Sequence, residues 1–567
     1  MSVRDTSGIL VTFSGLPYTT SNFFLDNGMA NLAGALIDGG HNVLILDYNT
    51  PTVLEYVFTK DIRKGLTSVS DLINSGNMMN HVKANQIYEN IQAEIDKLMG
   101  SYNEYLFNDI ATKIQQRNAN YVGFKLWLGR GIKSTIYIAE RLKQQFPNLK
   151  IYGGGPAATL FTNQVFNLTD VFDAVTIGEG EWNICDIAEH SIGKRKLESI
   201  PNLAYKEGSR IVFTPQHENY SLNQLPNPVY DKDVYPDAHV SNQKIRIVTM
   251  DESRGCNNKC AFCTHGVIGG RPVRKMDAER VVEQFAKHTK TLGTHVFNLG
   301  GSCVPDSLIN DITHITKEKN IEIIFNCFTS AEKLNTDRLD KYRDGGLFSV
   351  FYGIESLDKN ILRNDYLKAF NPDTVANAIK QSLDSGIYVT GSIIYPAPRE
   401  TFKSTFRTRN LLADMFENKP NGSVVVFYPG LMPHSTWSEK PEKFAIECSD
   451  IEKHFEDLIN CEVRHFLPPS LWETYNYSMN GKSQAKLAQL SNIFARSLER
   501  KNVTINAMGD SAMLAFMLEK SASEFGQMLG DMFLMGDGSG LSELIEEINK
   551  GICRKPPKRP ENWFPRS

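Results

Sequence analysis

The residues best suited to chemistry sit together on one short stretch, Ser253-Arg254-Gly255-Cys256-Asn257-Asn258-Lys259-Cys260-Ala261-Phe262-Cys263. The spacing is CxxxCxxC, with an aromatic residue just before the last cysteine. A 4Fe–4S cubane has four irons and takes thiolates as its usual ligands. Three thiolates from one loop therefore leave one iron without a protein ligand. Such an iron can chelate the amino and carboxylate groups of a methionine moiety and bring a sulfonium beside a one-electron donor. A structural zinc site is the alternative reading, because zinc closes four ligands and His265 could complete a set with these cysteines. The remaining six of the nine cysteines, Cys185, Cys303, Cys327, Cys448, Cys461 and Cys553, are scattered. An odd count with one tight cluster in a large chain points to reduced thiols and a metal or redox site.

The elements around this loop follow a β-α rhythm. Candidate strands Ile245–Met250, His295–Leu299, Ile321–Asn326, Phe348–Ile354, Tyr388–Ile394 and Ser423–Tyr428 alternate with helical patterns, for example 278–291, 306–317, 372–385 and 401–416. Six such units predict a partial (β/α)6 barrel over residues 245–437. Its chemistry is expected at the carboxyl ends of the strands, where the cysteine loop falls. Residues 1–198 predict a doubly wound, Rossmann-like domain with strands at Ile9–Phe13, His41–Tyr48, Tyr121–Trp127, Lys150–Tyr152 and Asp173–Ile177. A mixed-charge helical insertion interrupts it at 52–116. Its glycines follow the strand ends, the edge on which such sheets bind ligands. Residues 199–244, rich in Pro and Asn, read as an ordered connector that includes a possible small hairpin. Residues 438–567 read as a mostly helical region ending in a basic, Pro-rich tail. The fold class is thus α/β in its first two domains with a helical C-terminal region.

From these residues the barrel resembles the radical S-adenosylmethionine (SAM) superfamily. The resemblance implies that Cys256, Cys260 and Cys263 hold the cluster and that Phe262 belongs to the same motif. It implies that Gly300-Gly301 contacts the methionine amino group, although Ser302 stands where many members carry Glu. Gly353-Ile354-Glu355-Ser356 resembles the segment whose polar side chains, Glu355 and Ser356, approach the SAM ribose or methionyl group. Gly391-Ser392-Ile393-Ile394-Tyr395-Pro396 resembles the segment along the adenine, which places Ser392 at SAM.

The order of domains resembles the cobalamin-binding branch of that superfamily, the class B methyltransferase type. There the loops Gly153-Gly154-Gly155 and Gly178-Glu179 would admit the corrin edge and nucleotide tail, since glycine lets backbone N–H groups approach phosphate and amide oxygens. Ser14, Leu126 and Trp127, at strand ends, would lie near the lower corrin face. The stretch 15–28 holds no His, so cobalt would lack a protein imidazole. GxGxxG is absent after the first strand, which weighs against a dinucleotide. The alternative for this domain is a Rossmann-like fold with a packing role only.

The function implied is C-methylation of an unactivated carbon. One SAM methylates the reduced cobalamin; a second yields a 5′-deoxyadenosyl radical, and the substrate radical takes its methyl group from methylcobalamin. A cobalamin-associated cyclase or oxidase is the second reading, and a zinc-stapled binding module the third. A methylthiotransferase of the kind with an N-terminal cysteine triad is disfavoured, since no Cys precedes Cys185. Expected partners are a small-molecule or peptide substrate and a flavodoxin- or ferredoxin-like one-electron reductant. A net charge of −4 in 567 residues argues against general nucleic-acid binding. The absence of a 20-residue apolar run or a signal-peptide pattern points to a cytoplasmic chain. No catalytic acid or base is singled out. Cys303 and Cys327 are expected to follow barrel strands and to face the site or to act as small buried hydrophobes.

Overall fold

The computed structural model describes residues 6–74, 78–217, 220–461 and 475–564. In the first domain the short apolar runs become parallel strands β1 (Ser7–Thr12), β2 (Asn42–Asp47), β3 (Tyr121–Lys125), β4 (Lys150–Gly154) and β5 (Ala174–Thr176). Two antiparallel strands, β6 (Leu203–Glu207) and β7 (Arg210–Phe213), extend the sheet to seven in the order β2-β1-β3-β4-β5-β6-β7. The hairpin read as part of the connector therefore continues the first sheet. Ile9, Leu10 and Val11 are buried in succession, as expected where helices cover both faces of a parallel sheet.

The insertion forms helices Lys60–Asn74 and Met78–Arg117. At 1.5 Å per residue the second is about 60 Å long. Its buried side chains recur every three or four residues, from Tyr88 through Ile91, Ile95, Met99 and Tyr102 to Leu106, and join the core under β1 and β3.

The barrel consists of β8 (Val248–Met250), β11 (Val296–Leu299), β12 (Ile324–Thr329), β13 (Leu347–Glu355), β14 (Tyr388–Ile394) and β15 (Gly422–Phe427). All are parallel and pair in sequence order, with β8 and β15 at the two ends and Ile505 bridged to Val424 on the outer side of β15. The short strands β9 (Ser253–Arg254) and β10 (Arg274–Lys275) form a ribbon beside β8. The third barrel strand begins three residues later than its apolar run suggested, because Ile321–Ile323 lead out of the turn at Asn320, a left-handed residue (φ 51°). Cys327 consequently lies within β12 and is 1% exposed, which corrects its placement after the strand.

The C-terminal region contains helices Gln484–Glu499, Gly509–Met517, Ala522–Leu534 and Gly538–Ile552. It also contains a three-stranded antiparallel sheet of β16 (Ile446–Cys448), β17 (Tyr477–Met479) and β18 (Lys482–Ser483). Strands of two or three residues are too short to leave a period in the sequence. Residues 462–474, read as helical, lie outside the described residues.

This region closes the amino-terminal end of the barrel. The Ala507 carbonyl accepts from Thr390 and Ser423, and Gly509 sits against Ser349. The tail is also docked there: Arg559 donates to the Leu347 and Gly386 carbonyls, and Trp563 packs on Phe348 and Tyr388.

Candidate functional site

The β9–β10 ribbon brings Arg254 opposite Arg274, so the cysteine loop leaves and returns at one point. Gly255 begins the loop at φ +88°, and a Cβ there would stand 2.7 Å from the Gly270 carbonyl and 2.9 Å from that of Pro272. Only glycine fits such a turn. The Cys256 N–H donates to the Gly270 carbonyl (3.3 Å). Farther along, Ala261 is fully buried; its N–H donates to the Tyr366 carbonyl (3.0 Å) and its carbonyl accepts from the Trp437 N–H (2.9 Å). The Phe262 ring packs 5.7 Å from Tyr366 and 5.9 Å from Trp437. The aromatic residue before the last cysteine thus anchors the loop. Cys256, Cys260 and Cys263 are half-buried free thiols. Burial pushes Cys260 up to about 11, with the Lys368 ammonium acting in the opposite direction. Among the described residues, no three His, Cys, Asp or Glu side chains converge on a single-ion site.

The glycine turn after β11 is braced by a carboxylate that the sequence analysis missed. Gly301 donates its N–H to Glu252 Oε1 (3.1 Å), and Gly300 donates to the Met250 carbonyl (2.8 Å). Glu252 is fully buried, also accepts from Ser253 Oγ (2.8 Å), and is pushed up to about 8 by burial. An acidic residue thus stands at the turn from the β8 side, while Ser302, in the position where Glu is usual, lies 3.3 Å from His265 Nδ1. The only hint in the sequence was that Glu252 lies two residues after the first barrel strand.

Glu355 ends β13 at φ +57°, beside a register shift with β14. Its carboxylate accepts from Ser392 Oγ (3.1 Å) and from Lys368 Nζ (2.6 Å), so two of the expected SAM-facing residues are joined. Ser356 is not joined to them. Its hydroxyl accepts from the Asp358 N–H (3.1 Å) and contacts Thr408, and the residue is buried.

A cavity of about 380 Å³ separates the two sheets. One wall carries Gly153, Gly154, Gly155, Gly178 and Glu179; the other carries Arg254, Gly255, His265, Gly300 and Ser302. It runs on between helices Asn27–Asp38 and Ile184–Ser191, past Leu10 and Gly123. A side chain at Gly180 would narrow it, since a Cβ there would come 3.1 Å from Leu32.

Ionic contacts fix the width of this space. Arg254 bridges Glu181 (2.6 Å), Glu179 (3.2 Å) and Asp251 (3.3 Å), and Arg274 also pairs with Glu179. Glu179, expected at cobalamin, is therefore also bound to both arginines of the ribbon.

Ser14, Leu126 and Trp127 do not line this cavity. Ser14 and Trp127 line a second cavity of about 310 Å³ under the helical insertion. Leu126 is buried against Gly153. Between the two spaces stands Lys125, paired with Asp26 (2.7 Å) and 4.7 Å above the Trp127 ring, whose Nε1–H donates to Thr12 (3.0 Å).

Residues 253–412 match the model of the radical SAM superfamily. The chain carries a radical SAM domain. The cofactors of such a domain are a 4Fe–4S cluster and SAM, and its chemistry requires a reductant. Three thiols on a loop anchored at Ala261 and Phe262 fit the cluster, and the braced Gly300-Gly301 turn beside them fits an amino-acid ligand. Over 335 residues the chain is 23% identical to an uncharacterized methyltransferase of Pyrococcus horikoshii, covering 58% of this chain and 72% of that one. Over 298 residues it is 29% identical to a putative methylthiotransferase of Methanocaldococcus jannaschii, covering 51% and 62%. The fold is similar to that of the radical SAM methyltransferase TsrM from Kitasatospora setae with cobalamin and [4Fe–4S] cluster bound, with a TM-score of 0.61 at 10% identity, covering 94% of this chain and 99% of that one. Among the described residues, no helix is long and apolar enough to cross a membrane.

Proposed function

We propose that the chain is a cobalamin-dependent radical SAM enzyme that methylates an unactivated carbon of a small-molecule or peptide substrate. One observation carries this reading: the glycine-walled cavity of the first domain opens directly onto Arg254, Gly255 and Gly300 of the radical SAM domain. A cobalamin held there faces the cluster loop across one continuous space, and TsrM offers a precedent for that pairing of cofactors on this fold. When bound, the cofactors supply a 5′-deoxyadenosyl radical and a methyl group.

The chain's own residues supply position and enclosure. Cys256, Cys260 and Cys263 hold the cluster, Gly300 and Gly301 orient the methionyl group, and Glu355 with Ser392 line the rest of the SAM site. Gly153, Gly154, Gly155 and Gly178 bring backbone close to the corrin and its tail. The Arg254 pairs hold the two walls at one separation, which matters because misplacing reacting groups by about 1 Å costs on the order of a hundredfold in rate. A flavodoxin- or ferredoxin-like protein is the proposed electron donor.

Anaerobic reconstitution of the full chain with iron, sulfide, cobalamin, SAM and a low-potential reductant tests the reading. Formation of both 5′-deoxyadenosine and S-adenosylhomocysteine is expected, and Cys260→Ala is expected to abolish 5′-deoxyadenosine. Formation of 5′-deoxyadenosine alone would remove methyl transfer and leave radical chemistry of the cyclase or oxidase kind. A product heavier by a methylthio group would favour the activity named for the M. jannaschii relative.

A further inference from the structure

Lys368 belongs to none of the motifs, yet its ammonium is built against the aromatic anchor of the cysteine loop. Its side chain is 9% exposed, and that of its partner Glu355 is 6% exposed. Tyr366, two residues earlier, accepts the Ala261 N–H in the middle of the loop. Lys368 Nζ stands 5.8 Å above the ring of Phe262, between Cys260 and Cys263, and 5.0 Å above that of Phe370. It donates to Glu355 Oε1 (2.6 Å) and to the Gly353 carbonyl (3.0 Å). The fold makes specific room for this pair: a Cβ on Gly353 would come 2.7 Å from Glu355 Oε1 and 3.0 Å from Lys368 Nζ. Glu355 itself is held in the left-handed region, a conformation that strains a non-glycine residue. A buried, strained ion pair contributes little net stability over an apolar pair of the same shape, so another role accounts for it better.

We propose that the buried Lys368–Glu355 pair sets the reduction potential of the cluster held by Cys256, Cys260 and Cys263, with its cationic end toward the loop. This inference rests on the cluster and not on cobalamin or methyl transfer. Reduction adds one electron, delivered by a low-potential one-electron donor, to a group already surrounded by three thiolates. A fixed cation nearby stabilises the reduced form, and the low dielectric of a buried site enlarges the effect. The orientation of the pair sets its sign.

The test is a redox titration of the reconstituted full chain without SAM, followed by the EPR signal of the reduced cluster, with dithionite as reductant. Lys368→Met is expected to move the midpoint to a more negative value and Glu355→Gln to a more positive one. Lys368→Arg is expected to stay near wild type. A purely structural role would move both charge-removing variants in the same direction or neither. Equal iron and sulfide contents with unshifted or same-direction midpoints overturn the proposal. If Lys368→Met assembles no cluster, Glu355→Gln and Lys368→Arg still decide it: an unmoved or more negative midpoint in the former overturns it. Absence of iron, sulfide and signal from the wild-type chain would instead overturn the cluster assignment on which the proposal rests.

Discussion

At the scale of single residues, the molecule places charges where water cannot reach them and matches each to a partner remote in sequence. Lys244 and Asp47 are both fully buried and lie 2.7 Å apart. Tyr235 donates its hydroxyl to the same carboxylate, and the Asp47 N–H donates to Asp237 (3.0 Å). Removing one member of a buried pair leaves an uncompensated charge, a loss of about 3–5 kcal/mol. Lys244→Met is therefore expected to lower the unfolding free energy by about 3–5 kcal/mol, seen as a lower denaturant midpoint. Lys244→Met combined with Asp47→Leu should recover a large part of it, and equilibrium unfolding of the three proteins checks both. The network ties the connector to β2, and this is why a Pro-rich stretch without helical period is ordered.

At the scale of elements, the cysteine loop depends on the ribbon that closes it. Gly255 is the residue through which β9 turns into the loop, and its surroundings are backbone carbonyls that cannot swing aside. Gly255→Ala combines a left-handed conformation with a close approach to Gly270 and Pro272. The expected outcome is loss of most of the iron after reconstitution while the helical circular dichroism is retained. Wild-type iron and sulfide in that variant would show that the loop tolerates a different path. The same element scale explains Phe262 and Ala261, whose contacts with Tyr366 and Trp437 fasten the loop from the opposite side.

At the scale of the whole molecule, one cavity lies between the two parallel sheets, and Arg254 carries ionic contacts to both of its walls. It comes from the ribbon of the radical SAM domain but pairs with Glu179 and Glu181 of the first domain, while Asn27 and Asn31 donate to its neighbour Asp251 (2.9 Å and 2.5 Å). Arg254→Gln leaves three carboxylates facing one another in a half-closed space. It is expected to lower the thermal midpoint and to weaken cobalamin retention on gel filtration at least tenfold. Glu181→Gln, which keeps two carboxylates on the guanidinium, should do less. Equal behaviour of the two variants would sink the idea that this arginine joins the domains.

The sequence by itself determined the three-cysteine spacing, the glycine-ended strands and the two β-α series, because each is a local pattern read over a few residues or a regular period. It therefore pointed to Cys256, Cys260 and Cys263 as the candidate cluster ligands and to the glycine loops 153–155 and 178–179, which the structure places on one cavity wall. Only the tertiary structure decided that Glu252 braces Gly301, that Lys368 lies against the cysteine loop and that Glu179 pairs with Arg254 and Arg274. It also decided that Ser14 and Trp127 face a different cavity from the glycines. Each of these depends on which groups meet across the chain, and a meeting between residues 49 to 106 positions apart leaves no period and no fixed spacing to read.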